Sequence, residues 1–173
     1  NMWVLNDVGP LLERLLGPVA FAGLYLAAAV GGSAASVWFS TVGAVSAGAS
    51  GAIFGLFGAL LAFVLISKVL PRRVLDPLRN STAAFVGINL VFGLVLNRTG
   101  IVGVDMAAHL GGLLAGFAIG ALMAWRFDLR HLLENRLMPL KTLVALAVAA
   151  ALVAIASQAP NPLGEYQRAV VNL

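Results

Sequence analysis

Five apolar runs follow one another along this chain, at Val19–Phe39, Ser50–Ser67, Ser81–Leu96, Asp105–Trp125 and Leu140–Ala156. A helix of about 20 residues crosses the roughly 30 Å of hydrocarbon in a bilayer, so each run is near the length of a membrane span. The chain is 61% apolar and only 10% charged. A soluble core built from 173 residues could not hide that much apolar surface, so the medium around it must be lipid. The expected fold class is therefore all-α, a polytopic transmembrane helical bundle.

Punctuation between the runs sets the remaining expectations. Asn1 to Val8 reads as the tail of a first helix, ended by Gly9-Pro10. The chain opens Asn1-Met2-Trp3 with neither an initiator Met at position 1 nor a basic leader, and reads as starting partway through a membrane helix. Leu11–Leu16 is a short amphipathic stretch suited to the interface, closed by Gly17-Pro18. Pro71–Arg79 reads as a hydrophilic linker and Asn97–Gly100 as a turn. Arg126–Arg136 is a charged segment, and the end of the chain after Pro160 is polar. Trp38 and Trp125 fall at span ends, as interface anchors do. Asn89, in the middle of a span, is expected to bond another helix.

The net charge of +4 does not point to nucleic acid, because the basic residues sit in short segments between spans. Strict alternation places Arg14, Lys68, Arg72, Arg73, Arg79, Arg126, Arg130, Arg136 and Lys141 on one side, and leaves Arg98 and Arg168 on the other. The positive-inside rule makes the first side cytoplasmic. Cysteine is absent, which removes thiolate chemistry and cysteine-based metal sites, and no metal-ligand cluster is visible. No cofactor is expected.

Two short motifs carry chemistry. Gly48-Ala49-Ser50-Gly51 opens one span, and Ala107-Ala108-His109-Leu110-Gly111-Gly112 lies at the start of another. A hydroxyl and an imidazole are costly in hydrocarbon, so such residues are functional candidates by default. Both spans run from outside to inside, and a rise of 1.5 Å per residue puts Ser50 and His109 at similar depth, roughly 3–6 Å below the outer ends. Gly112, Gly116 and Gly120 share the histidine's face, while Gly51, Gly55 and Gly58 give the Ser50 helix a facing surface of small residues. Ser50 also stands at a helix N-terminus, where unpaired N–H groups and a positive dipole suit an oxyanion. Asp105, four residues before His109, could orient the imidazole, but its place before an apolar run favours an N-cap. His131 reads as a solvated loop residue, and loop composition accounts for Ser46.

In order and spacing these motifs resemble those of the rhomboid intramembrane serine proteases. Gly48-Ala49-Ser50-Gly51 matches that family's nucleophile motif, and Ala108-His109-Leu110-Gly111-Gly112-Leu113-Leu114-Ala115-Gly116 matches its Ala-His-x-x-Gly-x-x-x-Gly helix. Glu13-Arg14-Leu15-Leu16-Gly17, followed by Tyr25-Leu26, resembles the segment joining its second and third helices. The resemblance implies a Ser50–His109 dyad that cleaves transmembrane or juxtamembrane segments of membrane proteins through an acyl-enzyme. It implies oxyanion stabilisation by Ser50 and by Asn1, which matches the Asn of a His-x-x-x-Asn motif whose His would precede this sequence. Phe54 and Gly112 are expected to pack around the dyad, Phe54 where some relatives carry a tyrosine. Residues 1–158 are expected to form the membrane domain and 159–173 a polar tail, in a multi-pass protein of the cell membrane with its site on the extracytoplasmic side. The partners implied are membrane-protein substrates and the lipid bilayer, not nucleic acid. An inactive relative that binds membrane-protein clients is the main alternative. A small transporter or channel lined by Asn89 and Asn1 is a further one, disfavoured because the polar residues gather at one depth.

Overall fold

The computed structural model describes residues 1–39, 49–66, 72–99, 103–125 and 138–158. Six helices account for nearly all of these residues, and no strand occurs among them. They are α1 (Met2–Leu16), α2 (Pro18–Phe39), α3 (Ser50–Ile66), α4 (Arg72–Thr99), α5 (Met106–Ala124) and α6 (Met138–Ala156). Four stretches are long and apolar enough to span a membrane: α2, Leu75–Thr99 within α4, α5 and α6. The chain is thus an all-α, multi-pass membrane bundle.

α3 is apolar on every face, and a helix of that kind belongs in the interior. Thirteen of its 17 residues are buried, which makes it the central element. α2 and α5 flank it through small residues. A methyl group added at Gly112 would fall on the Gly51 carbonyl, one at Gly116 on that of Gly55, and one at Gly120 on Ala59. Register rises in the same sense on both helices, so α3 and α5 run parallel with their backbones in contact. α2 runs antiparallel to both. A Cβ at Gly32 would lie 2.8 Å from the Ala108 carbonyl oxygen and 3.4 Å from the Gly51 Cα, and further down Ala28 meets Gly55. Dispersion between close-packed backbones, rather than a hydrophobic driving force, holds such helices together in lipid.

Two sequence expectations are corrected at the helix ends. Gly9-Pro10 does not end the first helix: α1 runs through Pro10 to Leu16. Val8, Leu12 and Leu16, four residues apart, form one buried stripe whose burial depends on continuous helix. The true stop is Gly17, whose φ of 81° suits glycine and whose N–H bonds the Glu13 carbonyl. Likewise, much of the Pro71–Arg79 linker belongs to α4. Its Arg, Leu and Asp residues tolerate helix, Pro77 sits only in the second turn, and Arg79 pairs with Asp76 at 3.5 Å. Hydrophilic composition reported exit from lipid, not the end of the helix. Asn97–Thr99 form the last turn of α4 rather than a loop.

Asn89 does not reach another helix. Among the described residues its Nδ2 donates to the Phe85 carbonyl of its own helix at 2.8 Å, and α4 is the least buried of the spanning helices. Trp38 and Trp125 lie exposed at helix ends, as expected of anchors. The segment 126–137, with His131, and residues 159–173 lie outside the described residues, as does Ser46.

At the opposite end from Ser50, buried Lys141 in the first turn of α6 donates to the carbonyls of Met123 (3.0 Å) and Trp125. These carbonyls end α5, where the helix dipole is negative, so the cation closes the helix and ties α6 to it. Lys141→Met is expected to destabilise the bundle by about 2 kcal/mol, read as a lower thermal unfolding midpoint in detergent. Lys141→Arg should restore part of the loss.

Candidate active site

Ser50 opens α3 and is half-buried. His109 lies in the first turn of α5, buried at 9% exposure. Because the helices are parallel and in contact, both residues stand at the same end of the bundle. Contact there is immediate: a Cβ at Gly51 would lie 3.1 Å from the Ala108 carbonyl oxygen, one residue from each candidate.

Phe54 connects the two helices. Residues four apart share a helix face, so Phe54 lies one turn below Ser50 on the same side. Its ring stacks on the His109 imidazole, with centroids 4.2 Å apart and planes 12° apart. Phe85 of α4 packs behind, stacked on Phe57 at 3.9 Å and tilted against Phe54 at 6.1 Å. Gly112, one turn below His109, lies against the Gly51 backbone, where a side chain would push the helices apart.

Asp105 caps α5. Its Oδ1 accepts the Ala108 N–H at 2.8 Å, and its Oδ2 accepts the Ser36 hydroxyl of α2. His109 Nδ1 is buried and has no hydrogen-bond partner among the described residues, so Asp105 makes no bond to that nitrogen, the one a triad carboxylate holds. Asp105→Asn keeps the cap and is therefore expected to retain activity within about threefold, whereas Asp105→Ala should lower stability by about 1 kcal/mol. Proteolysis rates and unfolding midpoints of the two variants check this.

Asn1 is exposed at the N-cap of α1 and makes no side-chain capping bond. Gly48 of the serine motif lies outside the described residues. Among the described residues no three His, Asp or Glu side chains gather as a metal site. Sequence reading overlooked Ser36 and Asn97. Asn97 pairs twice with the Val104 backbone, its Nδ2 donating to the carbonyl at 2.8 Å and its Oδ1 accepting the N–H at 2.6 Å. Read as part of a turn, Asn97 carries no sequence signal for this pairing, and Ser36 carries none for its bond to Asp105.

Comparison with known proteins gives a consistent result. The family model for the Rhomboid domain matches residues 1–127. The chain is 38% identical over 152 residues to "Rhomboid protease GluP" of Bacillus subtilis, covering 86% of this chain and 27% of that protein. It is 37% identical over 120 residues to "RHOMBOID-like protein 1" of Arabidopsis thaliana, covering 69% of this chain and 29% of the relative. To "Rhomboid-like protease 1" of Toxoplasma gondii it is 34% identical over 122 residues, covering 70% and 40%. The chain thus spans between about a quarter and two-fifths of the length of these relatives. No solved structure matches it.

Proposed function

The chain belongs to the rhomboid family, and we propose that it is an intramembrane serine endopeptidase in which Ser50 is the nucleophile and His109 the general base. The observation that carries this reading is the Phe54–His109 stack, which draws the imidazole onto the α3 face that also bears Ser50.

In this mechanism the Ser50 Oγ attacks the scissile carbonyl carbon while its proton passes to His109. The carbonyl electron pair moves to oxygen, and the oxyanion is met by the N–H groups of the first turn of α3, which have no intrahelical acceptors. Asn1 is a further donor on the family motif. Collapse of the tetrahedral intermediate breaks the C–N bond as His109 returns the proton to the leaving amine. Water then hydrolyses the acyl-enzyme by the same route.

Depth supports hydrolysis here. α3 has 17 residues and so is about 25 Å long, shorter than the hydrocarbon layer, and its first residue can lie below the outer surface yet within reach of water. The far end of the bundle carries Arg14, Arg72, Arg73 and Arg79, against Arg98 at the site end. That bias supports a cytoplasmic far end, an extracytoplasmic site and residence in the cell membrane. Substrates would be transmembrane segments of other proteins carrying small or helix-breaking residues near the outer surface, because a regular helix keeps its carbonyls in hydrogen bonds. Residues 1–158 would form this membrane domain and 159–173 a polar tail.

The test is reconstitution of the full-length protein in liposomes with a single-pass substrate of that kind. Cleavage near the outer leaflet is expected. Stable capture of the substrate without cleavage would favour a client-binding protein instead.

A further inference from the structure

We infer that Asn97 is a positioning residue for His109, acting through its paired hydrogen bonds to Val104. The inference rests on the reading of His109 as the general base. His109 sits in the first turn of α5, so its placement depends on what fixes the residues just before that turn. Two side chains from two different helices do so. From α2, the Ser36 hydroxyl bonds Asp105. From α4, the Asn97 amide closes a two-bond ring on the Val104 backbone, donating to the carbonyl at 2.8 Å and accepting the N–H at 2.6 Å. Two parallel bonds from one planar amide fix orientation as well as distance, much as a strand partner would.

The same corner is where α4 packs on α5. A Cβ at Gly93 would lie 2.7 Å from the Met106 Sδ and 3.2 Å from the Val104 Cγ1, so α4 presses directly on the start of α5. Lower down, α4 reaches the imidazole a second time, through Phe85 against Phe54 and Phe54 on His109. The least buried spanning helix therefore touches the histidine's surroundings above and below, and Asn97 is the polar member of that pair. Asn97 and Val104 lie at the exposed edge of the bundle, where water competes for their hydrogen bonds. Their loss should cost little folding stability. What it removes is one of the two side-chain constraints on the turn that carries the base, and a displacement of about 1 Å at a reacting group can slow a reaction by about 100-fold.

The experiment measures steady-state cleavage of a single-pass substrate by the full-length protein in liposomes, normalised to the serine titrated by a fluorophosphonate. Asn97→Ala is expected to lower kcat by about 10-fold or more, with KM within about twofold and an unfolding midpoint close to that of the unmodified protein. Asn97→Asp, which keeps the acceptor for the Val104 N–H and loses the donor, should fall between the two. Ser81→Ala removes an exposed polar group from the same helix, one bonded only to the Leu78 carbonyl a turn away, and should leave kcat unchanged. An Asn97→Ala protein with unchanged kcat, or with a raised KM and unchanged kcat, overturns the inference. So does an activity loss that vanishes after normalisation. His109→Ala separates the two levels: if it is inactive while Asn97→Ala matches the unmodified protein, only the positioning role fails. If His109→Ala cleaves normally, or the unmodified protein neither cleaves nor takes the probe, the dyad fails and the inference with it.

Discussion

Replacing Ser50 with alanine should lower kcat/KM for an intramembrane substrate by about 10⁴-fold or more, and His109→Ala should do nearly the same. The double variant should be scarcely worse than either single one. Nucleophile and base act as one unit: without the base the hydroxyl keeps its proton, and without the hydroxyl the base has nothing to activate. Removing either therefore removes the whole covalent route, and the second loss has little left to take. Residual turnover would come from binding and the α3 N–H groups alone. Cleavage rates of the three variants, set against unfolding midpoints that confirm intact folding, decide the point. Simple multiplication of the two single effects would mean that the residues work separately.

The second large effect is expected far from the chemistry. Gly116→Ala adds one methyl group where the Gly55 carbonyl already stands, on a backbone that cannot yield as a flexible side chain does. α3 and α5 must separate, and overpacking of this kind costs about 1–3 kcal/mol, sometimes more. Because Ser50 and His109 are carried by these two helices, the same separation should reduce kcat by about 100-fold. Gly87→Ala is the matching control on α4. Nothing lies within 4 Å of its added methyl, so stability should hold or rise slightly. Thermal unfolding and cleavage, measured together on both variants, test the claim; equal behaviour would show that the α3–α5 contact is not under constraint.

Much of this architecture could be read from residue spacing. The four-residue interval of Gly112, Gly116 and Gly120 forecast a contact face, and α3 answers it with Gly51, Gly55 and Ala59. Asp105 was legible as a cap because it stands just ahead of an apolar run. Local signals misled where tertiary burial outweighed them. Pro10 reads as a helix breaker, yet the Val8–Leu12–Leu16 stripe keeps α1 continuous through it. The polar start of α4 reads as a linker, although polarity says where the chain leaves lipid and not where its hydrogen bonding ends. Asn89 was expected to seek a partner across the bundle, which requires knowing that α4 lies at the rim. Contacts that depend on the relative rotation of helices were not legible at all. Phe85 against Phe54, Ser36 on Asp105 and Asn97 on Val104 join residues from 7 to 69 positions apart, and no periodicity announces them.

The most direct measurement is the site of fluorophosphonate attachment in the full-length protein, mapped by peptide mass spectrometry with and without His109. A nucleophile activated by that imidazole predicts one adduct, on Ser50, which disappears in His109→Ala while the fold persists. An adduct on another serine, no adduct on folded protein, or a Ser50 adduct that forms equally fast without His109 would contradict it.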